Sequence, residues 1–334
     1  MGMDSPNPDG PATALANIDG VRDEAALRNG FEQARQAVRA AGRAGTPGDE
    51  LAAVWSAVLR GCVASAARVV SADREWSWFV SGSVARGEAV PGSDVETLIV
   101  VNEDPAEEAL GLAADVHALL ERCGVRVDAN GVLASRRRFC RTKEQWAEGI
   151  AGWAADPRVD RGVVMTGVLA DAAGVFGPLA EDVLRVQVVQ AARANYPARQ
   201  YMLQDATSLR AAVPSRLKML AMQSDTVDLK AAAVDPVVKI ARWAALSAGA
   251  TVTSTPARLD AAAAANVLEA DDVSSLKDCF AWLLRFRWEP SRDGDVIALS
   301  QLSPQDRASL RSVAREVSGI SRKLTYLAST SAFR

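Results

Sequence analysis

Residues 78–101 read WFVSGSVARGEAVPGSDVETLIVV, and the organisation of the chain follows from them. Trp78, Phe79 and Val80 are strand formers, Gly82-Ser83 is a turn, and Arg86 sits on a short helical turn. Pro91-Gly92 makes a second turn, after which Val95 to Val101 reads as a strand with acids at its start. Side chains alternate along a strand, so Asp94 and Glu96 share one face while Val95, Thr97 and Ile99 share the other. Two neighbouring carboxylates repel unless a cation neutralises them, which makes a divalent metal the natural occupant. Gly82 permits close backbone approach, and the Ser83 amide and hydroxyl are potential donors to phosphate oxygens. Arg86 offers a planar fork of the kind that grips a phosphate.

Upstream, residues 22–44 and 49–72 are Ala-rich helical stretches separated by Gly45-Thr46-Pro47-Gly48. Residues 1–20 are rich in Pro, Gly, Asp and Asn without periodicity and read as a flexible tail. Downstream, Asp104-Pro105 opens a helix whose apolar side carries Ala109, Leu112, Val116, Leu119 and Leu120 until Gly124 stops it. A third strand is expected at Val125 to Ala129, a helix at Lys143 to Ala154, and a strand at Val163 to Leu169. Past Gly177-Pro178 the strand patterns vanish, and helices are expected at about 180–212, 236–248, 257–268 and 273–287. The last helix opens at Ser303-Pro304, with a stripe of Leu310, Val313, Val317, Ile320, Leu324 and Leu327. The expected class is α+β: a tail at 1–20, a small mixed sheet with helices at 21–177, and a helical bundle at 178–334.

The chain has 334 residues, 49% hydrophobic and 24% charged, the balance of an ordinary soluble globular protein with material for about two domains. With 38 basic and 41 acidic residues the net charge is −3, which argues against a chain that coats extended nucleic acid. No run reaches the roughly 20 apolar residues of a membrane span, and no leader pattern opens the chain, so a cytoplasmic, membrane-free setting is expected. A single histidine, His117, excludes His-rich metal centres and two-histidine mechanisms. The four cysteines, Cys62, Cys123, Cys140 and Cys279, are scattered, as in a reducing compartment. Carboxylates are then the ligands for any catalytic metal, which favours Mg²⁺ or Mn²⁺.

Gly82-Ser83 followed by Asp94-x-Glu96 resembles the nucleotidyltransferase superfamily with the polymerase-beta palm. The fuller string of Gly82, Ser83, Arg86, Gly87, Glu88, Ser93 and Asp94 is similar to bacterial proteins related to the N-terminal part of protein-PII uridylyltransferase, often CBS-associated. The resemblance extends through Asn130 to Ser135, the Trp146–Trp153 helix and Asp171. In the helical half it includes Val227-Asp228-Leu229-Lys230, Asp235-Pro236, Ala241-Arg242 and Ser254 to Leu259, similar to that family's substrate-binding domain. It implies transfer of a nucleoside monophosphate from an NTP to a protein or small-molecule acceptor. Gly82, Ser83, Arg86, Gly87 and Ser93 would bind the nucleotide, and Asp94 and Glu96 the metal. Glu96 stands where the family has Asp, and Ala172-Ala173 replace the Arg and Pro expected after Asp171.

Such sites usually hold a third carboxylate on a neighbouring strand, and Asp128, alternating with Val125 and Val127, is the candidate, with a turn or cap role as the alternative. Asp228, Lys230, Arg242 and Arg258 are candidate substrate contacts; Asp228 and Lys230 are equally a structural ion pair, and the two arginines lean towards a cleft between domains. His117 reads as a boundary residue without chemistry, Trp76 and Trp78 as packing, and Arg136-Arg137-Arg138 as a solvated charge run. Two functions remain open: an active nucleotidyltransferase, or a nucleotide-binding regulatory module with weakened turnover. A dinucleotide oxidoreductase is disfavoured, since no G-x-G-x-x-G follows a strand.

Overall fold

β1 (Ser77–Ser81) and β2 (Glu96–Val101) pair antiparallel, with Ser77 opposite Val100 and Ser81 opposite Glu96. Together they are the centre of a four-stranded mixed sheet. β3 (Cys140–Thr142) runs parallel to β2 on one edge, and β4 (Ala173–Phe176) antiparallel to β1 on the other. The computed structural model describes residues 18, 20–71, 74–102, 107–208, 211, 213, 225–289 and 294–331. The expected tail lies outside the described residues except for Ile18 and Gly20. Ile18 is fully buried and its carbonyl accepts from Ser65 Oγ at 2.7 Å, so the chain is already anchored there. The Asp104-Pro105 helix start also lies outside the described residues.

The chain divides into two compact units. The first holds the described residues up to Ala151, Asp171–Gln187, and Trp288 with Glu289; the second holds Gly152–Ala170, Val188–Arg287 and the described residues from Gly294 onward.

In the first unit, α1 (Glu24–Arg43) is capped by the Asp23 carboxylate, which accepts from the Ala26 N–H at 2.9 Å. It packs on α2 (Gly48–Ser71), which in turn meets β1, β4 and α4 (Glu107–Arg122). By length and composition alone α2 would pass as a membrane-crossing helix, although Arg60 and Arg68 interrupt its apolar run. Here it is the central helix of the unit's core, burying Leu51, Trp55, Leu59 and Val63. Between β1 and β2 lies the five-residue α3 (Gly82–Arg86). α5 (Lys143–Ala155) follows β3, and Trp146 Nε1 donates to the Ile99 carbonyl at 3.1 Å, tying the helix to β2.

The strand expected at Val163 to Leu169 is instead a helix, α6 (Gly162–Ala170). The run is β-branched and apolar on all sides, so it carries no helical periodicity to read. Gly162 lets the helix start against Pro157, whose Cα would lie 2.9 Å from a Cβ at that position. The edge strand is the next segment, Ala173–Phe176.

Beyond it the second unit is helical. The long helix expected at 180–212 is two, α7 (Val183–Ala194) and α8 (Tyr196–Ser208), because Pro197 starts a new helix more readily than it continues one. α9 (Asp235–Ala248), α10 (Thr255–Ala264), α11 (Ala270–Arg287) and α12 (Pro304–Ser331) complete it. Ser254 caps α10, and Ser303 with Asp306 closes the start of α12. The α12 stripe is buried from Leu310 to Leu324, but Leu327 is 48% exposed. Strands do not vanish entirely: β5 (Thr226–Asp228) and β6 (Val296–Ala298) form a two-stranded antiparallel ribbon.

His117 is no boundary residue. It is 5% exposed, with Nε2 2.9 Å from Thr97 Oγ1 and Nδ1 3.2 Å from Ser135 Oγ, and its ring meets Trp78 edge-on. Burial lowers its pKa from 6.5 to about 4. The folded state therefore binds fewer protons than the unfolded chain between those values, and the contribution of neutral His117 is lost as pH falls through that window. The wild type should lose up to about 3 kcal/mol more stability than His117→Gln between pH 7 and 4, read by denaturant melts of both proteins. Parallel pH profiles would rule this out.

Candidate functional site

The register that sets Ser81 opposite Glu96 ends the β1–β2 pair where the acids begin. Gly82 follows with φ +63°, the left-handed region that favours glycine. A Cβ at Gly82 would lie 2.8 Å from Glu96 Oε1 and 3.0 Å from Oε2, so the carboxylate rests directly over the bare Cα. Ser93 Oγ accepts from the Val90 N–H at 2.9 Å and stands 3.5 Å from Ser83 Oγ. Ser93 N–H donates back to the Val90 carbonyl at 2.8 Å, which closes the turn before the acids. The structure thus brings Gly82, Ser83, Ser93 and Glu96 together, with Asp94 beside them in the chain and both acids partly exposed.

Arg86 is placed otherwise than expected. Its Nε donates to Glu88 Oε2 at 2.6 Å and its Nη1 to Asp171 Oδ2 at 2.5 Å. Arg86 is 9% exposed, Glu88 4% and Asp171 1%. Burial alone would lower the pKa of the guanidinium; attraction to Asp171 and Glu88 outweighs it, and the pKa is raised. Its Nε and Nη1 are thus both engaged by buried carboxylates. Gly87, at φ +75°, is the left-handed cap that ends α3. Sequence reasoning passed over Glu88 as a functional residue, and the spacing Arg86-Gly87-Glu88 across a helix-ending glycine was the available signal.

In the helical unit, Arg258 is 2% exposed and donates to the Ala170 carbonyl at 2.6 Å and the Val252 carbonyl at 3.1 Å. Its guanidinium clamps two backbone carbonyls from a buried position. The Arg242 side chain lies against Gly167 of α6. Asp228 is exposed and caps the following turn by accepting from the Ala231 N–H at 3.1 Å. Lys230 opens a π-helical turn, Lys230–Val234, and makes no ion pair with Asp228. Of the arginine run, Arg136 and Arg137 are exposed, and Arg136 lies over Gly131.

Asp128 does not join Asp94 and Glu96 in a three-carboxylate cluster; among the described residues no three His, Cys, Asp or Glu side chains are gathered to hold a metal. The strand expected at Val125 to Ala129 shrinks to one parallel bridge, Val95 with Val127. The Asp128 N–H still donates to the Val95 carbonyl at 3.1 Å, but Asp128 is buried and Val127 only half-buried, the reverse of the burial that the alternation predicts. Asp128 is 3% exposed; Oδ1 accepts from the Asn130 N–H at 2.8 Å and Oδ2 from the Val132 N–H at 2.6 Å. The carboxylate holds the 128–132 turn, the alternative role weighed from the sequence. Asp128→Ala would leave two N–H groups without their acceptor and should lower stability by about 3 kcal/mol in denaturant melts. A variant as stable as the wild type would remove this role.

Two family models match the chain. One described as "Putative nucleotidyltransferase DUF294" matches residues 32–160, which carry the Gly82–Glu96 site. One described as "Putative nucleotidyltransferase substrate binding domain" matches residues 198–327, in the helical unit. No curated protein matches the chain. With both models matched in order, the chain belongs to the family described as "Putative nucleotidyltransferase DUF294", and the domain described as its substrate-binding domain follows.

Proposed function

We propose that the chain moves a nucleoside monophosphate from an NTP to a protein or small-molecule acceptor, releasing pyrophosphate, with Mg²⁺ or Mn²⁺ at Asp94 and Glu96. The observation that carries this reading is the Glu96 carboxylate seated over Gly82, beside the Ser83 and Ser93 hydroxyls. It places an acid next to a turn whose backbone a polyphosphate can approach closely. The donor set fits a hard cation, since carboxylate oxygens suit Mg²⁺ and Mn²⁺. When bound, the metal neutralises charge on the polyphosphate. Asp128 is not counted among its ligands. Ser83 and Ser93 donate to phosphate oxygens, and the missing Cβ of Gly82 leaves room for the Glu96 carboxylate beside them. The helical unit takes the acceptor. Four buried free cysteines agree with a reducing, cytoplasmic setting.

A second reading, a nucleotide-binding regulatory module, draws support from Glu96 in place of Asp and from the lack of a three-acid cluster among the described residues. Incubation with each labelled NTP and Mg²⁺ or Mn²⁺, in the presence of candidate acceptors, separates them. The transfer reading expects pyrophosphate release; binding without release favours the regulatory one. Asp94→Asn should lower turnover by about 10²-fold or more with little change in melting temperature. Gly82→Ala should lower turnover similarly by pushing the Glu96 carboxylate aside, and should also lower the melting temperature because alanine is strained at φ +63°. Full activity in either variant would remove the site assignment.

A further inference from the structure

Arg86 is the side chain whose sequence reading and structural position differ most. The sequence offers it as a phosphate fork, yet its guanidinium is enclosed with Glu88 and Asp171, residues separated from each other along the chain by the whole of β2 to α6. Turning it towards a phosphate would break both of these buried ion pairs, which is costly.

The segment it holds is the one that builds the site. Glu88 N–H donates to the Ser83 carbonyl at 2.9 Å, so the residue gripped by Arg86 is bonded to the residue that faces Ser93. The next two residues are tied to α2: Ala89 N–H donates to Ser56 Oγ at 3.0 Å, and Trp55 Nε1 donates to the Val90 carbonyl at 3.1 Å. Val90 N–H then bonds Ser93 Oγ. The loop between the Gly-Ser turn and the acids is therefore fastened from behind by Arg86, Glu88 and Asp171, with α2 holding its middle. Its open side presents Ser83, Ser93 and Glu96.

We propose that Arg86 is a positioning residue: with Glu88 and Asp171 it forms a buried ion triad that sets the Gly82–Ser93 loop, and it does not contact the phosphates. The phosphate part of this proposal rests on the nucleotide reading above; the loop-setting part does not. The two roles predict opposite responses to loss of Asp171. A phosphate-binding Arg86 gains when the competing carboxylate is neutralised, whereas a positioning Arg86 loses its anchor.

The test uses the full chain with Arg86→Lys, Asp171→Asn and, should the latter fail to fold, Glu88→Gln. Leu120→Ala, a fully buried substitution in α4, serves as the control for general destabilisation. Affinity for magnesium tripolyphosphate is measured by calorimetry, and amide exchange over residues 88–90 is followed well below the melting temperature. The expected result is affinity weakened about tenfold or more in Arg86→Lys and in the carboxylate variant, with faster exchange at 88–90. Leu120→Ala should leave affinity unchanged. Tripolyphosphate binding kept or tightened in Asp171→Asn and weakened in Arg86→Lys overturns the proposal, as does unchanged exchange at 88–90. If the wild type binds no tripolyphosphate, the nucleotide reading falls, and the exchange rates alone decide whether the triad sets the loop.

Discussion

The antiparallel register of β1 on β2 is the constraint on which the site depends. Because Ser81 pairs with Glu96, the residue after the strand end must turn back beneath the Glu96 side chain. Only glycine fits there, for two independent reasons: a positive φ, and a carboxylate where a Cβ would stand. A one-residue slip would send Glu96 to the opposite face and undo both. Gly82 and Glu96, 14 positions apart in the chain, are thus one structural unit.

Charge is handled in two ways within the first unit. Asp94 and Glu96 stay partly exposed, where water and a bound cation can compensate them. Arg86, Glu88 and Asp171 are withdrawn from solvent and compensate one another, which costs desolvation but confines the guanidinium to one arrangement. Asp128 takes a third course and spends both oxygens on backbone N–H groups. Carboxylates between residues 88 and 171 therefore do unlike work, and burial is what sorts them.

Residue patterns carried much of the architecture. The helices at Glu24–Arg43, Gly48–Ser71 and Pro304–Ser331, and the strands at Ser77–Ser81 and Glu96–Val101, were legible because each has its own period, caps or breakers. Where the environment overrides the local pattern, reading failed. Val163–Leu169 is an apolar helix with no polar face to reveal its period, and Val125 to Ala129 makes a single bridge because Asp128 turns the chain through its carboxylate. The short ribbon of Thr226–Asp228 and Val296–Ala298 joins segments too far apart for a local signal.

The sequence by itself determined the class, the family resemblance, and the Gly82-Ser83 and Asp94-x-Glu96 elements, since these rest on local spacing and on the alternation of a strand. Tertiary structure alone decided what each charged side chain does. Arg86 became a buried anchor, Arg258 a backbone clamp, Asp128 a turn holder and His117 a buried hydrogen-bonded link. The partners that made them so, Asp171, Ala170, Val132 and Thr97, lie on other elements or beyond a turn. A charge takes its role from the groups that meet it after folding and from the water it loses, and neither is written in the residue itself.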